Sequence, residues 1–412
     1  MRIGRCVSLV ATVAVAAFSQ AAAQDPLLDP AWSPGVSVYE RPRPPFEPAG
    51  HQVGQFLVFP SVGVAEYYDS NIFAESTGEN DDFVTMIEPA LIAEVRQQRL
   101  AIDGLLGARV SLFADNSSQD EVEYEGRVGA RYRLAEADEI SGALSHLRQV
   151  VSREDVDEGG GTGDPRIVYR VVGEAGYDGS RGRVFYGLDG RVLYNDFEQS
   201  AQRDRDRTVY DAQGLLGYRA TPNLAPYVEP YVEYWNFDTA VDSNGFARDA
   251  TRVGGRVGAE YEEGDLITLR AAVGLGRWEF DDARFGDEWV WSADVLAGWN
   301  VTPATTLKLG AGRDELQNSV AGSSLREVSR VRVGVEHAFM PNVLGFADAE
   351  FRHSDFNNVG REDDDLSLGL GGDYLIDRMF AVSAGYTFDQ RDSNRPADFD
   401  RNVVWVGLRA QF

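Results

Sequence analysis

Along Pro226–Trp235, the residues Tyr227, Glu229, Tyr231, Glu233 and Trp235 fall on one face of an extended chain, opposed by Val228, Pro230, Val232 and Tyr234. Aromatic rings alternating with carboxylates are suited to carbohydrate. The CH faces of a sugar rest on rings, and its hydroxyls bond to the carboxylates. If the glutamates face water inside a pore, these five residues are candidate lumen and saccharide contacts. The competing reading is interfacial aromatics with incidental glutamates.

Other reactive residues do not assemble. His51, His146, His337 and His353 are scattered without ligand spacing, which argues against zinc. The run Gly159-Gly160-Gly161-Thr162-Gly163-Asp164 lacks the lysine of a phosphate loop and reads as a surface loop. No spacing selects a Ser-His-Asp set. The acidic clusters Glu79–Asp82, Asp238–Asp242 and Glu362–Asp365 offer oxygen ligands for calcium, or for cations that bridge lipopolysaccharide, yet read as solvated loops. Hence no catalytic residue, cofactor site or metal site is assigned, and the chain is not read as an enzyme.

The elements that position these residues alternate with period two. Tyr124, Val128, Ala130, Tyr132 and Leu134 oppose Glu123, Glu125, Arg127, Arg131 and Arg133. Val253, Val257, Ala259 and Tyr261 oppose Arg252, Arg256, Glu260 and Glu262. Short connections, such as Glu136-Ala137, Thr302-Pro303-Ala304 and Met340-Pro341-Asn342, alternate with longer polar loops, such as Asp69–Asp81 and Asp238–Arg248. That rhythm predicts an all-β fold: a transmembrane, antiparallel, up-and-down β-barrel of about 18 strands, 16 to 18 being compatible. Asp138–Ser152 is the weakest strand. Trp289 and Trp291 stand at one end of a strand face and Trp299 at the other, a spacing that suits an aromatic girdle on either side of an apolar band. In Asn402–Phe412, Val404, Val406, Leu408, Ala410 and Phe412 share a greasy face, and Gly407, Leu408, Ala410 and Phe412 form a candidate assembly signal.

Composition agrees. The 412 residues include 43 glycines, 11% aromatics and a formal charge of −27, which excludes a nucleic-acid partner. No apolar run beyond the N-terminus is long enough for a membrane helix. Residues 1–23 read as a signal peptide: Arg2 and Arg5, an apolar core from Val7 to Phe18, then Ala21-Ala22-Ala23. The sole cysteine, Cys6, lies within this leader, which excludes disulfides and thiol chemistry from the exported chain. Residues 24–52 form a Pro-rich periplasmic segment, read as a spacer or as a docking arm, and residues 53–412 the barrel.

Pro60-Ser61-Val62-Gly63-Val64, Tyr68-Asp69-Ser70-Asn71-Ile72-Phe73, Glu88-Pro89, Arg361-Glu362-Asp363-Asp364 and Trp405–Phe412 resemble the Putative beta-barrel porin 2 family. The resemblance implies a Gram-negative outer-membrane barrel, often encoded among exopolysaccharide or capsule genes. It carries over no catalytic residue. The implied partners are outer-membrane lipid and lipopolysaccharide, the barrel assembly machinery, a periplasmic polysaccharide-export protein and polysaccharide. Passage of exopolysaccharide across the outer membrane is the leading function. A general or cation-selective diffusion porin and a structural or adhesive barrel are the alternatives.

Overall fold

The computed structural model describes residues 36–155 and 163–412. The leader, the proline-rich stretch up to residue 35 and most of the glycine run at 159–164 lie outside the described residues. A three-residue strand, β1 (His51–Val53), forms a hairpin with β2 (Phe56–Asp69). Seventeen more strands follow: β3 (Asp82–Arg96), β4 (Leu100–Phe113), β5 (Glu121–Ala135), β6 (Asp138–Val150), β7 (Ile167–Arg181), β8 (Val184–Phe197), β9 (Arg207–Tyr218), β10 (Leu224–Phe237), β11 (Ala250–Glu263), β12 (Ile267–Phe280), β13 (Glu288–Thr302), β14 (Thr305–Gln317), β15 (Leu325–Met340), β16 (Val343–Phe356), β17 (Arg361–Leu375), β18 (Phe380–Ser393) and β19 (Phe399–Gln411).

From β2 onward each strand pairs antiparallel with the next, and β19 pairs with β2 from Val403↔Asp69 to Gln411↔Ser61. The result is a closed barrel of 18 strands. Closure satisfies the backbone groups that an open sheet would leave at its edges, which a lipid environment demands. The weakest expected strand, β6, is present at full length and pairs along β7 from Asp138↔Gly179 to Val150↔Ile167.

Registers around the ring always pair inward residues with inward ones, so one period-two pattern sorts the whole barrel. Val253, Val257, Val273, Leu275, Leu370 and Val406 face out and are more than half exposed. On the other face Glu229, Arg252, Asp314 and Asp363 are buried. Apolar outside and charged inside inverts a soluble core and suits a barrel in lipid around a polar lumen. Bulges bend strands beside three short turns, at Arg133/Ala135, Trp299/Thr302 and Ala338/Met340.

Proline interrupts the ladder twice. The β9–β10 pairing steps from Val228↔Leu216 to Tyr231↔Gln213, across Pro230. The β3–β4 pairing steps from Ile87↔Val110 to Ala90↔Gly107, across Pro89. Proline has no N–H to give a rung.

Candidate functional site: the lumen wall

Strand β10 runs from the short-turn end at Leu224 to the long-loop end at Phe237, so its inward face crosses the full height of the wall. Tyr227, Glu229, Tyr231, Glu233 and Trp235 all occupy that inward face. Tyr227 and Tyr231, however, are only 4% and 8% exposed. Each phenol tip lies against glycine of the neighbouring strands. A Cβ added to Gly258 would sit 2.5 Å from Tyr227 Cζ, and one added to Gly276 would sit 2.6 Å from Tyr231 Oη. Glycine is thus required on β11 and β12 to seat the rings.

A guanidinium group covers each ring. The Arg270 guanidinium stands 5.3 Å over Tyr227, and that of Arg252 stands 5.2 Å over Tyr231. Arg270 Nε donates to Tyr227 Oη at 3.0 Å and its Nη2 to Glu229 Oε2 at 3.2 Å. Arg256 Nε donates to Glu229 Oε1 at 2.8 Å, and its Nη1 stands 3.4 Å from Asp294 Oδ1. Arg252 pairs with Asp314 across two strands, both side chains almost fully buried. Trp235 Nε1 donates to Glu233, and Arg207 covers the Trp235 ring at 5.1 Å. The wall is therefore a ladder of guanidinium–carboxylate pairs with aromatic rings clamped beneath them.

The remaining wall repeats the chemistry. Asp365 accepts from Arg352 at 3.1 Å and from Arg391 at 2.7 Å. Arg109 Nε donates to Glu88 at 2.8 Å. Arg401 on β19 pairs with Asp69 on β2, across the closing seam, and at 2.5 Å with Glu154 of the β6–β7 connection. Ion pairs that are this buried need carboxylates on the correct neighbouring strands, because an unpartnered buried charge is costly.

At the long-loop end a single arginine roofs the β10–β14 wall. Arg248 Nε donates to Asp242 at 2.8 Å, Nη1 to the carbonyls of Asn318 at 3.1 Å and Ser323 at 2.6 Å, and Nη2 to that of Val320 at 3.2 Å. Beneath it Ala250, Trp278, Val290 and Leu325 form an apolar cluster inside the barrel. Asp282 in the β12–β13 loop accepts from Arg284 Nε at 2.8 Å and from the N–H of Ala247 at 3.0 Å. The Arg284 hydrogen bond and these backbone donors hold its carboxyl well below the usual range.

Trp289, Trp291 and Trp299 face outward, 72%, 50% and 46% exposed, and the Arg313 guanidinium stands 4.0 Å over Trp291. In β19 and at the residue after it, Leu408, Ala410 and Phe412 face outward. Gly407 faces in, where an added Cβ would come within 3.1 Å of Ala65 Cβ. The Phe412 N–H donates to Pro60 O at 3.0 Å. Among the described residues no group of His, Cys, Asp and Glu is placed to hold a metal ion.

The sequence pointed to the β10 face but not to Arg252, Arg256 and Arg270 as its covering layer. The period-two arginines of Arg252–Glu262 were visible; which strand they face is set by register. Residues 36–50, part of the segment read as a spacer or docking arm, lie within the short-turn mouth.

Among solved structures the chain is similar to the outer membrane protein opdK from Pseudomonas aeruginosa, with 12% identity, TM-score 0.46, and 86% of this chain and 99% of that one covered. It is similar to Pseudomonas aeruginosa OccK2 (OpdF) with 10% identity, TM-score 0.48, and 86% and 98% covered. The BenF-like porin from Pseudomonas fluorescens Pf-5 follows with 11% identity, TM-score 0.47, and 86% and 99% covered. No curated protein matches the chain. A family model does, over residues 43–412, a span that takes in all eighteen barrel strands and the end of the segment before them. The chain belongs to the Putative beta-barrel porin 2 family and forms a porin-like channel in a Gram-negative outer membrane.

Proposed function

We propose that the barrel passes saccharide chains across the outer membrane as part of exopolysaccharide secretion. The observation that carries this reading is the β10–β14 wall, where Arg252 pairs with Asp314, Arg256 and Arg270 share Glu229, and Arg256 also faces Asp294, three carboxylates for three arginines. Such a wall is rich in donors and acceptors but nearly neutral. It suits a hydroxyl-rich chain held by many weak hydrogen bonds and gives small ions little net field. The tyrosines act here as clamps that fix the guanidinium groups, and the rings offer edges rather than open faces.

In this reading residues 1–23 are a cleaved leader, 24–52 a segment at the periplasmic side of the channel and 53–412 the barrel. The proline-rich arm from Gln24 to His51 offers the handle for a periplasmic polysaccharide-export protein, and the outward face ending in Phe412 is what the assembly machinery reads. The chain does no covalent chemistry.

The test is a gene deletion, scored for secreted polysaccharide and for uptake of small solutes. Tyr227→Ala with Tyr231→Ala frees the guanidinium groups of Arg270 and Arg252 that the rings hold in place, and should lower polymer output a few-fold at unchanged barrel abundance. Normal polymer output in the full deletion, with reduced solute uptake, refutes export. One observation favours that second reading, a cation-selective diffusion porin: the formal charge of −27.

A further inference from the structure

Residues 36–50 fill part of the short-turn mouth, bound as a compact strap. Val38 is fully buried and Ser37 nearly so. The wall reads the strap through its backbone. Asn300 Nδ2 on β13 donates to Val36 O at 3.1 Å, Val38 N–H donates to Thr306 Oγ1 on β14 at 3.0 Å, and Tyr39 N–H donates to Glu336 Oε2 on β15 at 3.1 Å. The Tyr39 ring meets Phe346 of β16 edge-on at 6.1 Å. Near its exit to β1, Gln411 Nε2 of β19 donates to Phe46 O at 3.3 Å. From β2 through β19 down to β13 the strap crosses seven steps of an eighteen-strand ring, close to a full diameter.

The strap is not a strand of the wall. Pro42, Pro44, Pro45 and Pro48 deny it a hydrogen-bond ladder, and its hold is a handful of side-chain-to-backbone bonds. Its internal bonds, such as Arg43 Nη2 to Val38 O at 2.6 Å, make it a self-contained knot that can leave as a unit. Segments with so few lateral bonds open locally, well before the ladder that carries the barrel.

We infer that residues 36–50 are a displaceable gate, an intramolecular occupant of the periplasmic mouth that holds the channel shut until it is drawn out from the periplasmic side. This rests on the channel reading above. The strap's removal frees Thr306 and Glu336, which bind it directly, and with them Lys308, the ion-pair partner of Glu336 at the inner rim.

Lys308 is the sole lysine of the chain, so it reports the strap without any engineered label. The full-length protein in detergent is treated with a bulky amine-acylating reagent, and modification at Lys308 is read by mass spectrometry. Val38→Asp with Tyr39→Ala should speed modification by about tenfold, and raise single-channel conductance in planar bilayers, while heat-modifiable migration on gels stays intact. Thr306→Val, which removes a wall acceptor and leaves the strap unaltered, should move both readouts in the same direction. Unchanged modification in both variants overturns the gate. Faster modification with conductance equal to that of the parent also overturns it, and leaves the channel reading standing. Faster modification with no conductance in any of the proteins sinks the channel reading, and the gate with it.

Discussion

The backbone N–H of Phe412 donates to the carbonyl of Pro60 at 3.0 Å, beside the Gln411↔Ser61 pair that seals β19 to β2. This bond continues the closing seam by one rung, and it leaves the Phe412 side chain on the outer face. Removing Phe412, or replacing it with Asp, should lower outer-membrane abundance while export to the periplasm continues. A charge there costs about 1 kcal/mol or less in the folded barrel, because the position is near the interface. The expected loss is therefore one of assembly. Outer-membrane fractionation with a heat-modifiability assay checks it, and parental levels of the mutant would refute the signal.

Arg252 and Asp314 test whether the ladder is structural. Both are almost wholly buried, so Arg252→Ala strands a carboxylate inside the wall and should cost about 3–5 kcal/mol. The double variant Arg252→Met with Asp314→Leu removes both charges and should recover most of that loss. The denaturant midpoint of detergent-solubilised barrel measures both. A double variant no more stable than the single one would mean that the pair is not coupled.

Gly276 seats Tyr231. Gly276→Ala puts a methyl 2.6 Å from Tyr231 Oη, so the ring must lift off the wall toward the lumen. Among the described residues that hydroxyl has no hydrogen-bond partner, so the move breaks packing and the Arg252 contact only. We expect a cost of about 1–3 kcal/mol and, with the strap released by Val38→Asp and Tyr39→Ala, a narrower pore, seen as lower conductance at unchanged selectivity. Unaltered conductance and stability would show that the ring has another resting place.

The outer roof should be insensitive to mild acid. The Asp282 carboxyl is depressed in the folded state, so the stability it lends is fully present above its unfolded value, about 3.9, and fades only as pH falls through the lower folded one. Protease cleavage after Arg284 in intact cells should hence be as slow at pH 5 as at pH 7. Asp282→Asn should speed it at both. An increase in cleavage of the parent between those pH values would contradict the assignment.

Much of this was legible in the chain. The turn and loop rhythm gave the strand number, and the period-two pattern grouped the β10 residues on one face, with the lumen as one of two readings, and set Trp289, Trp291 and Trp299 on an outer girdle. Those features are local, set by chain geometry within one strand or one turn. What lies between strands was hidden. Arg270 meets Tyr227 only because β11 and β12 are in the register they adopt, and sequence spacing carries no record of that. The strap was hidden for the opposite reason: its prolines announce a segment that makes no ladder, which looks the same in solvent as in a lumen. Arg248 holds the β14–β15 loop through three of its carbonyl oxygens, which every residue has, so no side-chain pattern marks those targets.

The two missing rungs at Pro89 and Pro230 divide the ring unevenly. They sit between β3 and β4 and between β9 and β10, six strands apart. A sheet bends most readily where its ladder is broken, so these are two hinge lines running with the strands. The barrel should breathe as a hinged band, its cross-section ovalising about that axis rather than swelling evenly. Amide exchange in detergent ought to show it, with Ala108, Arg109, Gly214 and Leu215, the residues that face the gaps, exchanging ahead of neighbours at the same depth.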